Sequence, residues 1–265
     1  MPVGPYTVVK KDTHGISPGY DVRDPRGQLW SVKLGIEAQP EVTASRVLWA
    51  IGYHQDPMHY VKTWTMTHSK SDQPPARFRV MPSDEKVVSE WSWRQNPFVG
   101  TRPLAGLLVA NLILNNWDWK TNNNKVYAER GDAPREPRRY VERDLGASLG
   151  RLVYPVLLQR LRLRGFVQGT KSDVDGFEQQ GFIKTMTAEH VEFAYRGIHG
   201  DLVRTLTPAD VRWSCALLAR LTEAQWHDAF RAGGYEPEIA ARYIRKIQTK
   251  IAEGLAAPTT AASVR

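Results

Sequence analysis

The sequence is poorest in cysteine: among 265 residues there is only Cys215. That excludes an intrachain disulfide and argues against a thiolate zinc site. No run approaches the roughly eighteen consecutive apolar residues of a membrane-spanning helix. The start, MPVGPYTVVKKD, has no apolar core of signal-peptide length, so the chain as it stands is expected to be cytosolic. Several catalytic signatures are missing too: G-x-x-x-x-G-K-[ST], H-E-x-x-H and G-x-S-x-G. His54 and His59 flank a short turn and read as surface or packing residues rather than metal ligands. No solenoid-type repeat is present.

What remains is the composition of a folded domain, with 42% hydrophobic, 24% charged and 10% aromatic residues. The net charge is +8, and the excess is local. Residues 129–171 hold ten Arg/Lys, among them Arg135, Arg138, Arg139, Arg160, Arg162 and Arg164, against five Asp/Glu. Such a region suits anionic partners or is a solvated basic face.

The first third reads as β-rich. Strands are expected at 6–11, 19–24 and 28–35, separated by THGISPG and DPRG turns. A helix is expected at 40–51, with Pro40 in its first turn and Gly52 at its end. Its spacing puts Glu41 on the same inward face as Ala44, Leu48 and Ile51. Further strands are expected near 59–66 and 76–81. Trp91 and Trp93 read as packing residues, one of which could line an adenine slot. The segment 101–114 is apolar almost all round, as a buried helix would be. Short strands at 125–128 and 138–142 follow, then helices at about 150–164, 207–220, 222–232 and 236–254. FIKTMTAEHVEFAYRG is ambiguous between extended and helical, and APTTAASVR reads as a disordered tail.

Between the buried helix and the short strands lies NNWDWKTNNN, residues 115–124. Phosphoryl transfer from ATP needs few parts: a lysine on the phosphates, an acid to orient it, an aspartate for the acceptor proton, and an amide and a second aspartate for Mg²⁺. Residues of these types occur in a workable order. Lys33 lies in a strand and Glu41 on the next helix. Asp118, Lys120 and Asn123 have the spacing D-x-K-x-x-N, and Asp144 opens D-L-G after a strand pair.

On these motifs the chain resembles the protein-kinase-like superfamily. Lys33 and Glu41 are only eight residues apart, a compact arrangement similar to the atypical branch, the bacterial HipA-type serine kinases and the phosphatidylinositol kinases. The resemblance spans about 28–150 by motif order. It implies an α+β, two-lobed fold with a β-rich N-lobe at 1–98, a mainly helical C-lobe at 99–256 and the tail at 257–265. It further implies that Asp118 is the catalytic base, that Lys120 steadies the transferred phosphoryl group, and that Asn123 and Asp144 hold Mg²⁺. Lys33, paired with Glu41, would bind the ATP phosphates. Asn122 and Asn124 do not match the family offset but would become ligands if the loop were shifted by one.

The chain departs from the family pattern in two places. Trp117 stands where protein kinases usually carry the arginine that receives a phosphorylated activation segment, so switching of that kind is not expected. There is no G-x-G-x-x-G; Gly15 and Gly19, in HGISPG, are the glycines available for a phosphate-covering turn. The expected activity is Mg²⁺·ATP-dependent transfer to a hydroxyl acceptor on a protein, lipid headgroup or small molecule. Lys171 and the Arg160/Arg162/Arg164 cluster would favour an anionic acceptor. The alternatives are an ATP-binding module without turnover and, ranked last, a basic nucleic-acid-binding protein, because aromatics are not interleaved in 129–171 as single-strand binders require.

Overall fold

The computed structural model describes residues 1–12, 18–69, 71–129, 138–153, 168–195 and 197–256. Gly15, Arg135, Arg160, Arg162, Arg164, most of the helix expected at 150–164 and the tail at 257–265 lie outside them. By internal contacts the chain forms two compact units. The first comprises 1–92, 120–146 and 228–237, and the second 93–119, 147–227 and 238–265.

The first unit is built on a five-stranded antiparallel sheet. Its strands are β1 (Thr7–Asp12), β2 (Gly19–Arg23), β3 (Leu29–Leu34), β4 (Met58–Val61) and β5 (Ala76–Val80), in spatial order β1-β2-β3-β5-β4. Alternation drives it: Val22, Trp30, Val32 and Phe78 are buried in one cluster with Tyr6, Trp64 and Ala76. The expected strand at 59–66 stops at Val61, and Trp64 makes only an isolated bridge to Gln73. Asp24 closes the β2–β3 turn. Its buried carboxylate accepts from the amides of Arg26 (2.9 Å) and Gln28 (3.0 Å) and from the Trp30 indole (3.2 Å).

Helix α1 (Ala38–Ala50) packs on β4 and β5. A turn through Gly35, at φ 93°, launches it. It ends in a Schellman motif: the Gly52 and Tyr53 amides donate to the carbonyls of Trp49 and Leu48, with Gly52 at φ 102°.

A second antiparallel sheet, β6 (Glu85–Glu90), β7 (Lys125–Glu129) and β8 (Arg139–Val141), completes this unit. Its pairing explains why the contacts do not divide once near residue 98. Residues 120–146 return to the first unit because β7 hydrogen-bonds to β6.

In the second unit α2 (Arg102–Ile113) is buried continuously from Gly106 to Ile113. It packs on α5 (Pro208–Leu218), where the Ser214 hydroxyl donates to the Gly106 carbonyl. Thr207 and Asp210 form a capping box at the start of α5. The intervening elements are short: β9 (Leu152–Val153) paired with β10 (Gln168–Gly169), α3 (Val174–Gln179), the hairpin β11 (Ile183–Met186) and β12 (Val191–Phe193), and α4 (Gly200–Val203). The ambiguous FIKTMT segment is therefore extended. The helix expected from 150 begins instead as strand β9. Helices α6 (Glu223–Ala232) and α7 (Pro237–Leu255) follow. Among the described residues no helix is long and apolar enough to cross a membrane.

Candidate active site

Lys33 projects from β3 with its side chain only 17% exposed, and three carboxylates reach its ammonium. Glu37 stands at 2.5 Å, Glu41 at 3.7 Å, and Asp144 makes the third, closest contact. Burial acts against the lysine's charge, but Glu41, Asp144 and Glu37 outweigh it and hold the amine above its ordinary range.

Glu41 is itself almost fully buried. Burial pushes its carboxyl up; Arg77, whose Nε lies 3.2 Å away, together with Lys33 and Arg79 brings it below the ordinary range, so it is ionised. Arg77 is anchored in turn, donating from Nη1 to the Ser31 carbonyl at 2.8 Å. Lys33 and Glu41 thus come together as their order suggested, but Glu41 is shared with Arg77 and Glu37 stands nearer the lysine.

Glu37 is the residue that sequence reasoning missed. It occupies the N-cap position of α1, where its side chain makes no cap bond. Nothing in I-E-A marks it; only its four-residue spacing from Lys33 across a Gly35 turn could have pointed to it. It also sits against the D-L-G turn. A Cβ added at Gly146 would lie 2.6 Å from the Glu37 Cβ, so only glycine allows this approach.

Asp144 has φ 62°, a left-handed conformation uncommon for a non-glycine residue. Such conformations persist where surrounding structure imposes them, and they cluster at functional sites. The following residues, Leu145–Ala147, form a single 3₁₀ turn with Leu145 fully buried.

Of the three terminal asparagines in 115–124, the structure separates the roles. Asn124 is buried and donates to the Trp91 carbonyl at 3.3 Å, a packing role. The Asn122 side chain is exposed while its carbonyl accepts from Lys125. Asn123, in the 3₁₀ turn Thr121–Asn123, has a buried side-chain nitrogen with no hydrogen-bond partner. That nitrogen is a donor and does not ligate a cation; the amide's oxygen is the group that can. Asn123 and Asp144 offer a neutral and an anionic oxygen, the hard donors Mg²⁺ prefers, so the residues fit that ion.

Gly19 lies in the β2–β3 ladder directly across from Lys33. A Cβ there would come within 2.8 Å of the Val32 carbonyl oxygen. It is the first residue of β2, where a side chain would crowd the facing strand; residues 13–17 before it lie outside those described.

The other half of the decamer belongs to the second unit. Asn111, fully buried within α2, donates to the Leu107 carbonyl and accepts from the Asn116 amide at 2.8 Å. The Asp118 amide lies 3.4 Å from Asn116 Oδ1, its acceptor, and the Trp119 indole donates to the Asn116 carbonyl. Asp118 itself is partly exposed. Trp119 is buried against Trp93, Tyr195 and His199. Trp117 donates to the Thr170 carbonyl at 3.2 Å, and the Lys171 ammonium lies 5.4 Å from its ring centroid. That contact fixes the residue standing at the usual arginine position.

Elsewhere, Arg139 from the basic region is used internally, ion-paired with Glu85 and, at 3.1 Å, with the buried Asp56. Among the described residues no cluster of three or more His, Cys, Asp or Glu could hold a metal. His59 packs edge-on against Trp30.

Among solved structures, the chain is similar to the proinflammatory kinase CtkA of Helicobacter pylori, with a TM-score of 0.53 over 96% of this chain and 92% of that one at 12% identity. The chain has a protein-kinase-like fold. At that identity the likeness shows the fold alone. A second match, the Rio2 kinase of Chaetomium thermophilum solved with ADP, Mg²⁺ and phosphoaspartate, has a TM-score of 0.36 and 12% identity over 94% of this chain and 71% of that one, too low to carry an argument. No protein-family model matches the sequence, and no curated protein matches it significantly.

Proposed function

We propose that the chain is a Mg²⁺·ATP-dependent phosphotransferase of the atypical kinase type, acting on a hydroxyl acceptor. The observation that carries this reading is the convergence of Glu37, Glu41 and Asp144 on the Lys33 ammonium in a chain of kinase-like fold. A lysine so held stays protonated at neutral pH and is pre-aimed for phosphate oxygens, with no ordering needed when nucleotide arrives. Asp144 and Asn123 would hold Mg²⁺, which neutralises charge on the phosphates when bound. Asp118 would accept the proton of the acceptor hydroxyl as its oxygen bonds to the γ-phosphorus and the bond to ADP breaks. Lys120 would neutralise charge on the transferred group. The compact Lys33-to-helix spacing supports the HipA-type or phosphatidylinositol-kinase-like branch. The acceptor would be a protein, a lipid headgroup or a small molecule.

A second reading, an ATP-binding module without turnover, is favoured by the lack of a G-x-G-x-x-G loop. One experiment separates the two. The thermal midpoint is measured with ATP alone, Mg²⁺ alone and both, on the parent and on Asp144→Ala, beside transfer of label from γ-labelled ATP by the parent and Asp118→Asn. Ligand at about a hundred times its dissociation constant adds roughly 2.7 kcal/mol, a rise of about 5–10 °C in a domain of this size. The kinase reading expects a shift that needs both ligands and is lost in Asp144→Ala, with transfer lost in Asp118→Asn. A shift without transfer supports the binding module. No shift at millimolar ATP removes both.

A further inference from the structure

Among the described residues of the second unit, Lys250 is buried more deeply than any other Lys, Arg, Asp or Glu. Its relative exposure is zero, although helix α7 otherwise reads as an amphipathic surface helix. Both hydrogen bonds of its amine go to the chain that leads into Asp118. Nζ donates to the carbonyl of Ile113, the last residue of α2, at 2.9 Å. It also donates to Asn115 Oδ1, at 2.8 Å. The Phe177 ring closes the site from a third side, with its centroid 4.1 Å from Nζ.

Asn115 is the turn residue at the end of α2. It has φ 53°, the left-handed turn by which the chain leaves α2, and Asp118 follows three residues later. Its side chain is a donor as well as an acceptor, with Nδ2 donating to the Gly150 carbonyl at 2.8 Å. That bond ties the loop to the segment just beyond D-L-G. Backbone bonds from Leu149 to Leu114 (2.9 Å) and from Trp117 to Ala147 (3.3 Å) continue the same seam. Leu149 is a second left-handed residue, at φ 56°, and α7 reaches it too: the Tyr243 hydroxyl donates to the Leu149 carbonyl at 3.0 Å. Tyr243 and Lys250 both pack on Phe177. One face of α7 therefore holds both sides of the seam at their strained residues.

We infer that Lys250 is a positioning residue for the loop that carries Asp118, acting through Asn115. The inference rests on the kinase reading for its catalytic consequence but not for its structural one. Burying an amine at this depth is costly unless its hydrogen bonds are made, and a Met or Leu here would pack as well. A lysine is needed only if the Ile113 carbonyl and the Asn115 amide must be held in one arrangement. The unpaired alternative leaves two buried acceptors without donors.

The test uses the full chain with Lys250→Met, Asn115→Ala and the parent, and two readouts. The first is hydrogen exchange at the amides of Asn115, Asn116 and Trp117, which are hydrogen-bonded to Leu112, Asn111 and Ala147. The second is turnover of Mg²⁺·ATP, measured as label transfer to the protein itself and as release of phosphate. Both variants are expected to raise exchange at these three amides at least about tenfold while amides of β2 and β3 keep the parental rate. Turnover should fall by up to about 100-fold, as misplacement of a reacting group by roughly 1 Å can do, with the Michaelis constant for ATP unchanged. Asn115→Ala keeps the Lys250–Ile113 bond and covers the case in which Lys250→Met does not fold. Parental exchange at the three amides in Asn115→Ala overturns the inference, whatever the activity. Raised exchange with parental turnover overturns it as well. An inactive parent sinks the kinase reading alone, and the exchange result then still decides whether Lys250 sets the loop.

Discussion

Replacing Glu41 by Gln isolates one charge in the Lys33 cluster and leaves shape nearly unchanged. The carboxylate is 1% exposed, and its partners Arg77 and Lys33 have side chains only 6% and 17% exposed. Arg79 is half-buried, with desolvation, Arg143 and Arg77 acting against its charge and Asp56 and Glu41 in its favour. Removing the Glu41 charge leaves the buried Arg77 under-compensated and weakens the field on the half-buried Arg79. Breaking a buried pair from one side costs about 3–5 kcal/mol. Gln retains one acceptor oxygen, so the lower figure applies, about 3 kcal/mol. For a chain of this size each kcal/mol moves the midpoint by about 2–4 °C, giving a drop of about 6–12 °C.

Glu37→Gln is the control. It leaves Lys33 with Asp144 and Glu41. A loss of about 1 kcal/mol is expected. Its effect should show instead in ATP affinity, weakened about tenfold, because a charge-assisted bond contributes roughly 1.5–3 kcal/mol. Thermal and urea unfolding give the stabilities, and ATP titration gives the affinities. The pH dependence adds a sign. Glu41 has a folded pKa below its unfolded value, so its stabilisation is complete above the ordinary carboxylate range and is lost as pH falls through the depressed value. The gap between parent and Glu41→Gln should thus persist from about pH 8 to pH 6 and close in acid. A Glu41→Gln loss under about 1 kcal/mol, or equal losses in the two variants, would refute the reasoning that Glu41 serves the arginines and Glu37 the lysine.

Two further outcomes are expected. Gly146→Ala must move either Asp144 or the start of α1, since its Cβ would stand 2.6 Å from that of Glu37; the Mg²⁺-dependent ATP shift should vanish, and a parental shift would show that the D-L-G turn does not need this approach. His199 donates from Nε2 to the Trp119 carbonyl at 2.8 Å and lies with Nδ1 3.0 Å from Arg94, so it is neutral with its proton on Nε2. Burial first, then Arg94, hold its pKa below the ordinary value despite the Trp119 bond and Asp201. Its stabilisation is therefore present above pH ~6.5 and lost as pH falls through the depressed value. The midpoint gap between the parent and His199→Asn, which tolerates the left-handed backbone at φ 57°, should narrow from about pH 7.5 to pH 5.5. A gap that widens would mean the ring is charged in the fold.

The parts of this fold that the sequence made legible are those where one periodicity dominates. α2 is apolar around its circumference, and the structure buries it accordingly. β3 alternates, with Trp30 and Val32 inward, and Gly52 ends α1 because a left-handed residue is needed there. β6 was illegible for the opposite reason. EKVVSE is mostly exposed and polar, and its existence depends on hydrogen bonds to β7, whose residues lie some distance along the chain. Local pattern cannot report a strand whose stability is wholly non-local. The ambiguity of FIKTMT was of the same kind and was decided by its pairing with β12.

Site residues divide along a similar line. Lys33, Glu41, Asp118, Asn123 and Asp144 could be proposed because each lies in a stretch whose spacing limits what its neighbours can be. Glu37 and Lys250 could not, because each owes its place to a partner reached through the fold: Lys33 and Gly146 for the first, Asn115 for the second. Yet Lys250 did leave a trace. Tyr243, Ile247, Lys250, Ile251 and Gly254 share the buried face of α7, so a lysine interrupts an otherwise apolar stripe at helical spacing. A lysine in such a stripe either spoils the helix's packing or finds hydrogen-bond acceptors that offset the desolvation of its amine. Ordinary amphipathicity would put Lys250 on the solvent face, one position away. That it stays inward, with both acceptors at the exit of α2, argues that the stripe was interrupted to hold the Asp118 loop and not despite it.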